Sequence, residues 1–407
     1  MLDFTPSSRL RGLGIWALLL TLLCLRTAPA YDHAHLQALE AQVDAMLKDS
    51  DRAKKLPPTK PGEVADLECY FDHAYHYSVY LPKAYDPKVA WPVIFCDSPG
   101  GNARTYCEAY QAYADEFGWI IAGSKECSNN VTGEQQVDSD LNMVWDVVAR
   151  YNVHSPMSIF LGFSGGARCS EKMVFWGGLP GMMGTIQMGA GQGPYPATHR
   201  KNLQVYIIVG TEDGNLKDCE QFAQQCRDAG HKVVLVEYKA GHQNAPPEMV
   251  RTAIQWQTET FLKTNADTSS DTQRLRKGYV EKFVQAAKDS EAAGDKVATY
   301  VKYRSAVETA QSIPLLGADE KKIINDIEWK TMPALKRDKA VAKEAQAYAE
   351  LTRMEAWANG LPKTKMGLYN APPQFQAIAE HYPDTPSGKT AAEVAKQYTD
   401  ELAALKQ

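Results

Sequence analysis

No segment of this chain after residue 30 is apolar enough to cross a bilayer, which excludes an integral membrane protein with several spans. Nor is there an excess of either charge: 44 basic and 49 acidic side chains leave a net charge of −5, which points away from nucleic acid and anionic membranes. The cysteines match no zinc-ligand spacing, so no structural metal is expected. Strand-like runs are missing from about residue 272 to the end, where Ala, Lys, Glu and Asp dominate. Two regions of different class are therefore expected within the 407 residues.

The first thirty residues form a third region. Arg9 and Arg11 precede the apolar run "GLGIWALLLTLLCL", and "TAPA" follows with small residues at Ala28 and Ala30. A basic start, an apolar stretch too short to span a membrane and a small-x-small exit make a secretory signal cleaved after Ala30, with a retained anchor as the alternative. Cys24 follows leucine, where a lipoprotein anchor needs a small residue. The mature protein is expected to be exported, secreted or periplasmic. It keeps seven cysteines, Cys69, Cys96, Cys107, Cys127, Cys169, Cys219 and Cys226. Export permits disulfides, and an odd count leaves at least one thiol free. Cys96 sits in a strand-like run and reads as buried. Cys219 and Cys226 share a predicted helix, and seven residues rise about 10 Å, too far for a bridge within it.

The expected organisation is a signal peptide (1–30), an amphipathic leader helix and Pro-rich linker (31–66), an α/β domain (67–264), a polar linker (265–272) and a helical domain (273–407). Within 67–264 the runs "AYHYSVYL", "WPVIFC", "GWIIAG", "MSIFLG", "GTIQMGA", "LQVYIIVG" and "KVVLVEY" read as strands, with amphipathic helices between them. That alternation predicts a mostly parallel sheet with helices on both faces. In the tail, "AIAEHYPDTPSGKTAAEVA" reads as a helix, a Pro-containing turn and a helix. This looks like a tetratricopeptide-type pair, although three repeats of a fixed period do not fit and a plain bundle is the simpler reading.

The chemistry concentrates in "PMSIFLGFSGGARCSEKMVFW", a predicted strand, turn and helix around Gly162-Phe163-Ser164-Gly165-Gly166. This is the G-x-S-x-G nucleophile elbow. A strand that turns into a helix within one residue strains the backbone at the serine, and glycines on either side relieve the crowding. A serine needs a base. Downstream, "YIIVGTEDGN" ends a strand at Asp213, and "LVEYKAGHQN" ends another at His242. Ser164, Asp213 and His242 follow the α/β-hydrolase order, and a parallel sheet brings them to one edge. His242 would take the Ser164 proton while Asp213 fixes the tautomer. Glu212 is the competing acid. The other histidines fit less well: His33 and His35 lie in the leader, and His73, His76 and His154 precede the elbow. His199 lies in a Pro-rich loop, His231 at the wrong end of a strand and His381 in the helical domain. Phe163, Trp176, Met182, Met183 and Tyr195 are candidates for an acyl pocket or for core.

"YHYSVYLPKAYDPKVAWPVIFCDSPGGNARTY", "FLGFSGGAR", "VGTEDGN" and "AGHQN" together resemble secreted serine esterases of the feruloyl-esterase and polyhydroxybutyrate-depolymerase-like group, over about residues 70–264. The resemblance implies an α/β-hydrolase fold and cleavage of carboxylic esters through an acyl-enzyme, without metal or cofactor. It also implies carbohydrate- or plant-polymer-linked ester substrates, with Ser164 as nucleophile, Asp213 as acid and His242 as base. The helical tail is left to grip a polymer or a protein partner. One departure stands out: such enzymes have His-Gly after the strand matching "VIFC", whereas here the turn is Asp97-Ser98-Pro99-Gly100-Gly101. Proline has no N–H, and Asp97 brings a carboxylate near developing negative charge, so either Ser98 or a re-registered glycine supplies the oxyanion donor beside Gly165, or catalysis is weakened. Two rival readings remain: a serine peptidase of the same fold, and a non-catalytic binding protein on a decayed hydrolase scaffold.

Overall fold

The computed structural model describes residues 33–175, 179, 181–191, 201–362 and 364–404. The signal segment, Trp176, Tyr195 and His199 lie outside them. The chain divides into two units, Met1–Leu262 and Lys263–Gln407.

The first unit is built on eight strands: β1 (Val64–Glu68), β2 (His76–Tyr80), β3 (Trp91–Asp97), β4 (Ile120–Ser124), β5 (Val153–Phe163), β6 (Met182–Met188), β7 (Gln204–Gly210) and β8 (Lys232–Tyr238). They form one sheet in the order β1-β2-β4-β3-β5-β6-β7-β8. β2 runs antiparallel to both β1 and β4, and every pair from β4 to β8 is parallel. This is the sheet of the α/β-hydrolase fold. All seven predicted strands are present. The eighth, β1, was not anticipated. Its sequence VADLE carries two acids and lies half-exposed at the sheet edge, so it has neither the apolar run of a buried strand nor a clean alternation.

Helices α1 (His33–Lys48), α2 (Arg52–Lys55), α3 (Arg104–Ala109), α4 (Gln111–Phe117), α5 (Gly133–Arg150), α6 (Gly165–Phe175), α7 (Leu216–Asp228) and α8 (Pro247–Thr264) belong to the connections and flanks of this sheet. Because β3, β4, β6 and β7 are buried along their whole length, their side chains are mostly apolar on both faces, with Asp97, Ser124, Thr185, Gln187 and Gln204 the buried polar exceptions. α5 starts with a capping box: Thr132 accepts from the Gln135 N–H while the Gln135 side chain accepts from the Thr132 N–H. Eleven of its residues are buried, because it packs on two sides, against the sheet and against α1. The amphipathic stripe of α1 (Leu39, Val43, Met46) joins the same core as Leu141, Val144 and Val147 of α5. The leader helix is thus part of the sheet's hydrophobic core.

Among its described residues the second unit has helices and no strand: α9 (Ser270–Ala292), α10 (Lys296–Gln311), α11 (Ala318–Asp326), α12 (Met332–Leu335), α13 (Lys339–Asn359), α14 (Lys365–Leu368), α15 (Ala371–His381) and α16 (Pro386–Ala404), with a π-helical stretch Ile327–Thr331 between α11 and α12. α15 and α16 are the expected helix pair around the Pro-containing turn. Their core holds Phe375 stacked on Tyr398 at 5.6 Å, with Leu351 of α13 beside them. Among the described residues no helix is long and apolar enough to cross a membrane.

If α1 belongs to the core, Leu39→Ala, at a position 3% exposed, should cost about 2–4 kcal/mol. Urea unfolding followed by tryptophan fluorescence measures this, and an unchanged midpoint would contradict it.

Candidate active site

β5 ends at Phe163 and α6 begins at Gly165, so the chain changes from strand to helix within Ser164. Ser164 has φ 53°, the left-handed region that a non-glycine residue rarely occupies. Two hydrogen bonds hold it there: its N–H donates to the Met188 carbonyl at the end of β6 (2.9 Å), and its carbonyl accepts from the Arg168 N–H (3.2 Å).

The three glycines around it each make room for a different neighbour. A Cβ on Gly162 would lie 2.4–2.6 Å from the Gly166–Ala167 backbone, so the first turn of α6 rests on it. One on Gly166 would lie 2.3 Å from the Asp97 carbonyl, so the end of β3 rests there. One on Gly165 would fall 1.7 Å from Oδ1 of Asn129.

The structure brings the three predicted side chains together. His242 Nε2 is 2.9 Å from Ser164 Oγ, and His242 Nδ1 is 2.9 Å from Asp213 Oδ2 and 3.1 Å from Oδ1. Asp213 follows β7 and His242 follows β8, so parallel pairing delivers both to the edge where β5 ends. The Asp213 side chain is 1% exposed and that of His242 41%. The acid is therefore shielded from water while the imidazole borders the cleft. Asp213 Oδ1 also accepts from the Asn215 N–H at 2.8 Å, which leaves the carboxylate one fixed orientation. The Phe163 ring lies 4.8 Å from the imidazole and packs against it. Glu212, the competing acid, is exposed.

The competing histidines sit elsewhere. His73 and His76 pair with Glu68 and Glu126. His231 accepts from the Leu203 N–H at 3.2 Å, and His154 packs on Phe261. Met182 and Met183 begin β6, at the opposite end from Met188 and the serine, and are core rather than pocket; strand direction decides this.

The turn after β3 also differs from expectation. The Asp97 side chain does not face the cleft. It is fully buried, accepts from the Ser170 hydroxyl at 2.8 Å, and is held well above the usual carboxylate range by burial and by the neighbouring Asp140 carboxyl. Both effects favour the neutral acid, so Asp97 brings no negative charge to the nucleophile. Ser98 keeps its N–H beside the first turn of α6, where a Cβ on Gly166 would lie 2.9 Å from it. The Ser98 hydroxyl accepts from the Gly100 N–H at 3.4 Å, leaving the main-chain N–H as the group turned toward the elbow. Gly165 N–H opens α6 and has no intrahelical partner.

Three further residues belong to the site. Gly189 (φ 60°) passes under the catalytic side chains: a Cβ there would lie 3.0 Å from Asp213 Oδ2 and 3.4 Å from His242 Nδ1. Asn215 donates to the Gly189 carbonyl at 2.8 Å and fixes that pass. Asn129 lies over Gly165, in an exposed loop pinned by Asn129 N–H to the Pro99 carbonyl (3.0 Å) and by a bridge between Gly100 and Ser128. Among the described residues its carboxamide has no hydrogen-bond partner. The glycine-rich run after β6 was the one available hint of Gly189; nothing in the local sequence singles out Asn129.

No protein-family model and no curated protein sequence matches this chain. Solved structures similar to part of it include Thermogutta terrifontis esterase 2 phosphonylated by sarin, at 15% identity over 53% of this chain and 99% of that one, with a TM-score of 0.39. A Pyrobaculum calidifontis esterase is 15% identical over 60% of this chain and 96% of its own, with a TM-score of 0.40. EstE1, a thermophilic carboxylesterase from a metagenomic library, is 12% identical over 55% and 96%, again at 0.40.

Backbone contact at Gly162 sets a stability test. Gly162→Ala must push α6 off β5 and should cost more than about 2 kcal/mol, whereas Gly214→Ala, with nothing within 4 Å of its Cβ, should stay within about 0.5 kcal/mol. Equal midpoints for the two variants in chemical denaturation would overturn this reading of the elbow.

Proposed function

We propose that the chain is a serine hydrolase that cleaves carboxylic esters through an acyl-enzyme. The observation that carries this is the continuous relay Ser164 Oγ, His242 Nε2, His242 Nδ1, Asp213, with 2.9 Å at each junction. His242 accepts the hydroxyl proton as Ser164 attacks the ester carbonyl, and returns it to the departing alkoxide. Asp213 holds Nδ1–H and stabilises the imidazolium. Water, deprotonated by the same imidazole, then releases the acid. A decayed binding scaffold would have no reason to keep a strained serine aligned on an oriented histidine, and this favours catalysis over the relic.

The tetrahedral oxyanion is met by the N–H groups of Gly165 and Ser98. The Asn129 carboxamide lies over Gly165 with Oδ1 nearest it, and its Nδ2–H₂ would supply the donor that Pro99 cannot. Substrates are esters of carbohydrate or plant-polymer type, and the mature enzyme is exported. The motif resemblance over about residues 70–264 supports the first, and the basic, apolar and small-residue pattern of residues 1–30 supports the second.

Hydrolysis of short nitrophenyl esters without hydrolysis of matching anilides separates an esterase from a peptidase. Ser164→Ala should abolish turnover, by about 10⁵-fold or more. Asn129→Ala should lower kcat about 10²-fold with little change in KM, because the contact forms with the oxyanion rather than the ground state. Full activity in Ser164→Ala would refute the mechanism, and an unchanged kcat in Asn129→Ala would remove the third donor.

A further inference from the structure

Beneath the nucleophile lies a buried group that the hydrolytic mechanism does not use. Asp97 ends β3, Cys127 follows β4, Asp140 is on α5 and Cys169 is on α6, five residues after Ser164. All four are buried, and their carboxylate oxygens and sulfurs lie within 4.8 Å of one another. Cys169 Sγ–H donates to Asp140 Oδ2 at 3.1 Å and Ser170 donates to Asp97 Oδ2 at 2.8 Å, while Asp97 Oδ1 and Asp140 Oδ1 have no partner. The two sulfurs are 2.8 Å apart.

A cation, shared protons or a covalent bond can each settle such a group. A tetrahedral zinc with Zn–S bonds of about 2.3 Å separates two thiolates by about 3.8 Å, and two thiolates with two carboxylates leave a divalent ion at a net charge of about −2. No lysine or arginine hydrogen-bonds to any of the four among the described residues, so that charge would be buried uncompensated. A proton shared between Asp97 and Asp140 satisfies the carboxyls, yet gives no reason for the sulfurs to touch. In the reduced state the Cys127 S–H donates to Cys169 Sγ, but at 2.8 Å the sulfurs are closer than a thiol hydrogen bond requires, and a bond between them accounts for that closeness. We propose that Cys127 and Cys169 are joined by a disulfide in the mature protein.

In that step each thiol loses its hydrogen and one S–S bond forms. Two electrons and two protons pass to a second disulfide, of a protein or a small thiol, which is reduced to two thiols. The hydrogen bond with Cys169 and burial push the Cys127 thiol well up, so the thiolate needed for exchange is scarce once the chain has folded. The bridge therefore forms while the sheet is still assembling. It spans 42 positions and fastens the nucleophile's helix to the loop that presents Asn129. Its value to catalysis rests on the esterase reading, but its existence does not. In this structure all seven cysteines, Cys127 and Cys169 included, are buried and stand as free thiols; the proposal bridges that one pair and leaves Cys69, Cys96, Cys107, Cys219 and Cys226 free.

The test uses the full chain made with its leader in an exporting host. A second sample is unfolded, reduced and refolded in a mixture of oxidised and reduced glutathione. Each is denatured in iodoacetamide without reductant, digested and mapped by mass spectrometry. The expected result in both is one reducible peptide pair joining Cys127 to Cys169, with the other five cysteines alkylated. Alkylated Cys127 and Cys169 in both samples, a bridge to a different cysteine, or one equivalent of zinc released with both thiols free would each overturn the proposal. As a second measurement, reductant should lower the melting temperature of the bridged protein by roughly 5–15 °C and leave the Cys127→Ser/Cys169→Ser double variant unmoved; an equal response in the two proteins would count against the bridge. The mapping involves no catalysis, so its failure is distinct from failure of the esterase reading.

Discussion

A change from strand to helix inside a single residue is the constraint on which the rest of the site depends. Ser164 sits at φ 53°, a conformation that costs on the order of 1–3 kcal/mol for a residue with a Cβ. The surroundings over-determine it. The end of β6 accepts its N–H, the first turn of α6 rests on Gly162, and the end of β3 rests on Gly166. Relaxing the serine would require moving two strands and a helix that are buried along most of their length. Strain at the nucleophile is thus carried by the hydrophobic core, including the α1 helix that thickens it.

Given that reversal, charge is arranged in one direction. Asp213 is buried at one end and His242 borders the cleft, with the serine beyond it. On the other side of the elbow, Asp97 is turned inward and its carboxyl kept in company with Asp140 and Ser170. The same residue with its carboxylate facing the cleft would oppose an oxyanion. Instead the cleft side of that turn presents main chain, and the adjoining loop presents an uncharged carboxamide. The turn that looked unfavourable from its residue types is compatible with a forming negative charge because of where its side chains go.

Much of this was legible beforehand. Six strands could be read because parallel strands are short, nearly continuous apolar runs, antiparallel β2 could be read from its own largely buried run, and the elbow could be read because its glycines have fixed offsets from the serine. Asp213 and His242 followed from being the acid and the histidine just past strand ends. What escaped notice were features set by tertiary contact. Strand β1 is an edge strand with two acids and acquires its identity only by pairing with β2. Asn129 becomes part of the site because the Gly100–Ser128 bridge folds its loop over Gly165, a meeting across 36 positions that no local pattern encodes. The contact of Cys127 with Cys169 is of the same kind. Whether Met182 and Met183 line a pocket or the core stayed open, because a strand's composition does not mark which of its ends faces the cleft; the parallel sense of the sheet puts them in the core.

The chemistry rests on Ser164 being a nucleophile activated by His242 in the folded protein. Intact-protein mass spectrometry after exposure to a fluorophosphonate tests it most directly. A single phosphonyl adduct should map to Ser164 and be lost when the protein is unfolded beforehand. A folded protein that stays unmodified, or an adduct on any other residue, would contradict it.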